Sequence, residues 1–203
     1  PAGMALVDNR LFVTDGAFLR VFDRESGRSR GEVHVLGAIS LGDVAVGSRG
    51  EVYVTDWGVS AARSAAHGTV YRISRRGAVR AIAKSSVLGR PSGVVTIGKQ
   101  PWVASVEPDM FYGVSRRGKL THGAALPATG RLSGLTYADG RIFFSSPQTR
   151  TVYAGPPAGP FEPLVMWAKS PGDVGWDAGR QRVLVPLMDD DALELHIMAV
   201  EPS

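Results

Sequence analysis

The 203-residue chain contains no cysteine. That removes a disulfide framework, a thiol nucleophile and a zinc–thiolate centre, and it leaves the redox compartment undefined. No apolar run approaches the length needed to span a bilayer as a helix, and mean hydropathy is zero, so no membrane span is expected. The first residues lack the basic-then-apolar pattern of a secretory leader. Localisation is open, with export possible for a longer chain. Lysine is scarce: of 23 basic residues only four are lysine. The excess of arginine is what a GC-rich genome produces. A net charge of +4 does not by itself point to nucleic acid. Helical periodicity is also missing. Twenty-five glycines and 13 prolines interrupt the chain before any 3.6-residue pattern lasts three turns.

What is present is a repeat. Five copies of one pattern begin near residues 2, 42, 92, 133 and 172. Each has a small residue or glycine, a short apolar run, a turn and a second apolar run. The first is Ala2-Gly3-Met4-Ala5-Leu6 with Phe12-Val13-Thr14-Asp15, and the second Gly42-Asp43-Val44-Ala45-Val46 with Tyr53-Val54-Thr55-Asp56. From Gly3 to Asp43, Gly93, Gly134 and Asp173 the steps are 40, 50, 41 and 39 residues. A period near 40 built from short strands predicts the blades of a β-propeller, all-β and forming a single domain over 1–203. Ser-Arg-Arg-Gly recurs as a turn at 74–77 and 115–118. The long step comes from an insertion between Trp57 and Gly68, read as a loop or one helical turn. Pro156-Pro157-Ala158-Gly159-Pro160 reads as a rigid loop between the third and outer strands of the fourth repeat. The fifth repeat shows three strands and no outer one, which fits either a five-bladed ring with an incomplete last blade or a six-bladed ring lacking its first blade.

The runs Leu41–Val46, Gly50–Asp56, Pro91–Val94, Gly172–Asp177 and Val183–Leu187 resemble the senescence-marker-protein/gluconolactonase family, and more loosely NHL repeats. The resemblance covers nearly the whole chain. It implies a six-bladed propeller, so these five repeats would be a fragment lacking a first blade. It also implies a divalent cation, Ca²⁺ or Mg²⁺, held over the channel by carboxylate and amide side chains at the first inner-strand position of several blades. Here that column reads Ala2, Gly42, Ser92, Ser133 and Gly172. Hydroxyls are poorer ligands for such cations than carboxylates.

Propeller topology sorts charges by blade end. Inner-strand starts and second-to-third connections gather Asp15, Asp43, Asp56, Glu107, Asp109, Asp173 and Asp189–Asp191. The opposite turns gather arginines, among them Arg49, Arg75, Arg76, Arg116 and Arg117. Asp43 and Asp173, one residue along from the ligand column, are the metal candidates. The alternative is that each caps backbone N–H groups. Ser92, Ser133, Trp57, Asp56 and Asp15 are the ligand-binding candidates, with the Trp57 loop as a rim. No catalytic residue is assigned. Ser92 and Ser133 have no evident base, and His34, His67, His122 and His196 form no pair. Met188-Asp189-Asp190-Asp191 lacks the spacing of a calcium loop. Trp176 is expected between blades.

Three functions follow. The first is a binding propeller that takes a small molecule or protein at the acidic end. The second is a metal-dependent lactonase or esterase-type hydrolase completed by a further blade. The third is a protein–protein interaction scaffold. Nucleic acid is not expected, because no aromatic is interleaved with the paired arginines. The oligomeric state is open.

Overall fold

Short β-branched and aromatic runs, each closed by glycine or an aspartate turn, become strands wherever both faces find apolar cover. The computed structural model describes residues 2–58, 67–127 and 132–198. They form two compact units, Pro1–Leu126 and Pro127–Ser203.

The first unit holds three four-stranded antiparallel meanders. Blade 1 is β1 (Met4–Val7), β2 (Arg10–Asp15), β3 (Phe18–Asp23) and β4 (Ser29–His34). Blade 2 is β5 (Leu41–Val46), β6 (Val52–Asp56), β7 (Gly68–Ile73) and β8 (Val79–Ser85). A 3₁₀ turn, Ser86–Leu88, leads into blade 3: β9 (Pro91–Ile97), β10 (Gln100–Val106), β11 (Asp109–Val114) and β12 (Leu120–Ala125). The second unit holds blade 4, with β13 (Gly134–Ala138), β14 (Arg141–Ser146), β15 (Thr151–Gly155) and β16 (Glu162–Met166). Blade 5 follows, with β17 (Gly175–Asp177), β18 (Arg182–Leu187) and β19 (Ala192–Ile197). Among the described residues blade 5 has three strands. These are five blades of the expected propeller, and the strand limits differ from the sequence reading by a few residues at most. The Pro156–Pro160 loop joins β15 to β16. The Ala61–Ala66 part of the insertion lies outside the described residues.

Burial follows blade position. Within the first unit the second strand of blade 1 buries alternate residues, Phe12 and Thr14, because one face is covered. Every residue of β6 is buried, because blade 2 has a neighbour on each face. Val52 and Val54 pack with Phe12 and Leu19 of blade 1, while Tyr53 packs with Val94 and Val103 of blade 3. In the second unit Phe143 and Val152 of blade 4 meet Val183 and Val185 of blade 5. Trp176 stacks on Phe143 at 5.6 Å, between these blades as expected.

The sheets share no ladder, so side chains join them. Thr14 at the end of β2 donates to the Gly42 carbonyl (2.7 Å), and Ser145 at the end of β14 donates to the Gly172 carbonyl (2.5 Å). The same position in blade 2 is Thr55, whose Oγ1 accepts the Asp43 N–H (2.9 Å). In blade 3 it is Ser105, which donates to the Leu88 carbonyl. All four hydroxyl residues are fully buried. Inner strands approach so closely that a methyl carbon at Gly3 would sit 2.6 Å from Asp43 Oδ1, and one at Gly134 would overlap the Asp173 backbone.

Ser145→Ala would leave a buried carbonyl without its donor, a loss of about 1–2 kcal/mol. Gly134→Ala forces the two inner strands apart and is expected to cost more, about 2–4 kcal/mol. Urea denaturation of the two variants checks the order. Wild-type stability in Gly134→Ala would show that the strands do not approach this closely.

Candidate functional site

The site is built by the connections at one end of blades 2 and 3, where inner strands begin and second strands end. Gly89 makes it possible. Its φ of 52° is left-handed, and a side chain there would overlap the Glu107 carbonyl. The β8–β9 link can therefore lie directly against the β10–β11 turn, and the Val106 N–H donates to the Arg90 carbonyl (3.2 Å). Arg90 Nη1 reaches Glu107 Oε1 at 3.0 Å, and its guanidinium lies over the Trp57 ring, 5.6 Å from the centroid. The Arg90–Glu107 pair is exposed and contributes little stability.

Trp57 owes its position to a second glycine. A methyl carbon at Gly42 would lie 2.5 Å from Trp57 Nε1 and 2.9 Å from Thr55 Oγ1. The indole thus lies where a side chain at the first inner-strand position of blade 2 would begin. Gly58, with φ of 62°, sits against the His67 carbonyl, so the chain leaves β6 and returns to β7 at nearly one point.

Four polar atoms at this end of blades 2 and 3 are buried and, among the described residues, have no hydrogen-bond partner: Trp57 Nε1, Arg90 Nε, Ser92 Oγ and Asp109 Oδ1. Such atoms are uncommon because each forfeits its hydration. Burial, reinforced by the neighbouring Glu107 charge, holds the Asp109 carboxyl above its usual range. The sequence singles out Trp57 and Ser92 and places Asp109 among the acids of this end. For Arg90 its one signal is the place directly before Pro91-Ser92-Gly93.

The other candidates fall elsewhere. Asp56 is buried and accepts the backbone N–H groups of Ile39, Ser40 and Gly58 at 2.9–3.2 Å. It anchors the β4–β5 link. Asp15 pairs with Arg20 Nε at 2.6 Å, which lowers its pKa. Ser133 lies in the second unit, where its N–H donates to the Ser145 carbonyl (3.0 Å).

Of the metal candidates, Asp43 directs Oδ1 to the Val44 N–H (2.7 Å) and Oδ2 to the Val94 N–H of blade 3 (2.9 Å). Asp173 accepts the Leu135 N–H of blade 4, while burial raises its pKa to about 6. Both carboxyls serve backbone N–H groups of adjoining inner strands. Among the described residues no three His, Asp or Glu side chains are grouped to hold a metal ion. His34 stacks on Phe18 at 4.7 Å, and His196 contacts Glu194 at 3.1 Å. The turn Asp189–Asp191 is exposed, and Asp190 pairs with Lys169 (3.1 Å). No described helix is long and apolar enough to cross a membrane.

No protein-family model and no curated protein matches the chain. Solved structures do. Virginiamycin B lyase from Staphylococcus aureus is 14% identical, with a TM-score of 0.66 over 98% of this chain and 70% of that one. A gluconolactonase from Xanthomonas campestris is 19% identical, with a TM-score of 0.67 over 87% of this chain and 65% of that one. A nidogen/laminin complex also matches, at 15% identity and a TM-score of 0.66, over 97% of this chain and 80% of that one. A lyase, a gluconolactonase and a nidogen/laminin complex share this likeness, which therefore establishes the propeller fold and nothing finer.

The Asp173 carboxyl gives a pH signature. Its pKa is 3.8 when exposed in the unfolded chain and about 6 when folded. The neutral form is thus favoured by folding. The contribution of Asp173 to stability is therefore greatest below pH 4 and falls as pH rises through 4 to 6. Asp173→Asn keeps an acceptor for Leu135 and removes the buried charge. It should match the wild type near pH 4 and exceed it by about 1–2 kcal/mol at pH 7.5. Denaturation curves at the two pH values check this, and a variant less stable at pH 7.5 would contradict it.

Proposed function

We propose that this protein is a binding propeller whose ligand is a small, uncharged, oxygen-rich molecule of the cyclic-ester class, taken up at the Trp57–Arg90–Ser92–Asp109 end of blades 2 and 3. The supporting observation is the set of four buried polar atoms without partners. Three of the four groups can donate: an indole N–H, a guanidinium N–H and a hydroxyl. Donors of this kind recognise carbonyl and ring oxygens. The Trp57 ring offers an apolar face beside them.

Two other readings draw less support. A metal-dependent lactonase or esterase would use Asp43 and Asp173 as Ca²⁺ or Mg²⁺ ligands, completed by a carboxylate from a sixth blade. Both Asp43 oxygens already accept backbone N–H groups, which favours a structural role. A protein–protein scaffold would not need buried donors without acceptors. Ser133, Asp15 and Asp56 are not needed by the leading reading.

Calorimetric titration with glucono-1,5-lactone and with virginiamycin B tests the proposal. One of them should bind saturably without added metal, and Trp57→Ala and Asp109→Asn should each weaken it about tenfold or more. Turnover that depends on Ca²⁺ or Mg²⁺ and is lost in Asp43→Asn would replace this reading with the hydrolase. Absence of binding by both compounds would remove the cyclic-ester assignment.

A further inference from the structure

The opposite end of blades 2 and 3 carries a cleft of about 590 Å³. Five cations from five separate segments line it. Arg49 comes from the β5–β6 turn, Arg72 from β7, Arg80 from β8, Lys99 from the β9–β10 turn and Arg116 from the β11–β12 turn. Its apolar wall is Ile82, Ile97, Pro101 and Val114. The only carboxylate in the lining is Glu51, and it is already engaged. Glu51 is buried, accepts the Arg49 N–H (2.9 Å) and the Tyr53 hydroxyl (3.2 Å), and feels the Arg72 charge. Among the described residues Arg49, Arg80, Lys99 and Arg116 form no ion pair with any carboxylate.

We propose that this cleft binds a small organic phosphate of about nucleoside-monophosphate size. Four unpaired cations focused into one hollow create a field that only an anion relieves. Arginine forks match phosphate oxygens bidentately. The volume falls in the range of small-molecule sites, well above what an inorganic anion fills. The apolar wall and the buried Tyr53 hydroxyl would contact the organic part of such a molecule, which bare phosphate lacks. The cations face a concave site and not a ridge, and Arg75 and Arg76 of the β7–β8 turn and Arg117 of the β11–β12 turn lie outside the lining. That arrangement suits a compact ligand better than a polymer backbone or a membrane surface. This site lies at the other end of the blades from the donor cluster and does not depend on it.

The test is calorimetric titration of the full chain with AMP and with inorganic phosphate at 50 mM NaCl. AMP should bind one site with a Kd below about 1 mM, at least about tenfold tighter than inorganic phosphate. Raising NaCl should weaken it. Arg80→Ala combined with Arg116→Ala should cost about tenfold or more. Arg28→Ala, in the β3–β4 turn of blade 1 and outside the cleft, should change the Kd less than about twofold. If the double variant misfolds by circular dichroism, Lys99→Glu in its exposed turn takes its place and should weaken AMP about fivefold or more. The proposal fails if AMP does not bind, binds no tighter than phosphate, or is weakened equally by Arg28→Ala. It also fails if the chain ignores AMP and binds heparin or phosphatidylserine vesicles instead.

Discussion

The structure rests on how separate sheets are joined when no ladder hydrogen bond crosses between them. Apolar faces supply most of the attraction, but they are non-directional and tolerate sliding. The register of one inner strand against the next is set by a few buried polar atoms. Thr14 to Gly42 and Ser145 to Gly172 tie the end of a second strand to the start of the following blade. Asp43 reaches across to the Val94 N–H, and Asp173 to that of Leu135. Each link is worth only about 1 kcal/mol net, yet breaking one leaves a buried group unsatisfied and costs more. Small residues opposite each carboxyl let the strands come close enough for these bonds to form.

That joinery explains why the two ends of blades 2 and 3 differ in chemistry. Where inner strands start, carboxylates and hydroxyls are consumed by backbone groups, and what remains free is a mixed set dominated by donors. At the far end the turns are short and arginine-rich, and Thr96 of blade 3 donates there to the Val46 carbonyl of blade 2 (2.6 Å). Side chains released from structural duty are the ones available to ligands.

The fold was legible because a 40-residue period survives in the apolar runs and in the repeated Ser-Arg-Arg-Gly turn, and strand patterns depend on local sequence. The site was only partly legible. Trp57 and Ser92 stood out through composition and register. Arg90 did not, because its role comes from the fold of Gly89 against Glu107, a contact made across 18 residues by backbone geometry. Asp43 stands out as a carboxylate one residue along from the ligand column. Whether its oxygens face a cation or an N–H is decided by the neighbouring blade, which no local pattern reveals. The cleft at the basic end was hidden for a similar reason: its cations are spread over nearly 70 residues and converge only when two blades pack.

The pairing of glycine with aspartate on facing inner strands also constrains how such a chain can change by duplication. Gly3 faces Asp43, and Gly134 faces Asp173. The modules are therefore not interchangeable tiles. Copying the second repeat beside itself would set two carboxyls into a gap that fits one, and copying the first would leave the neighbour's N–H groups with no acceptor. Gene rearrangements that preserve the protein must move these neighbours as couples.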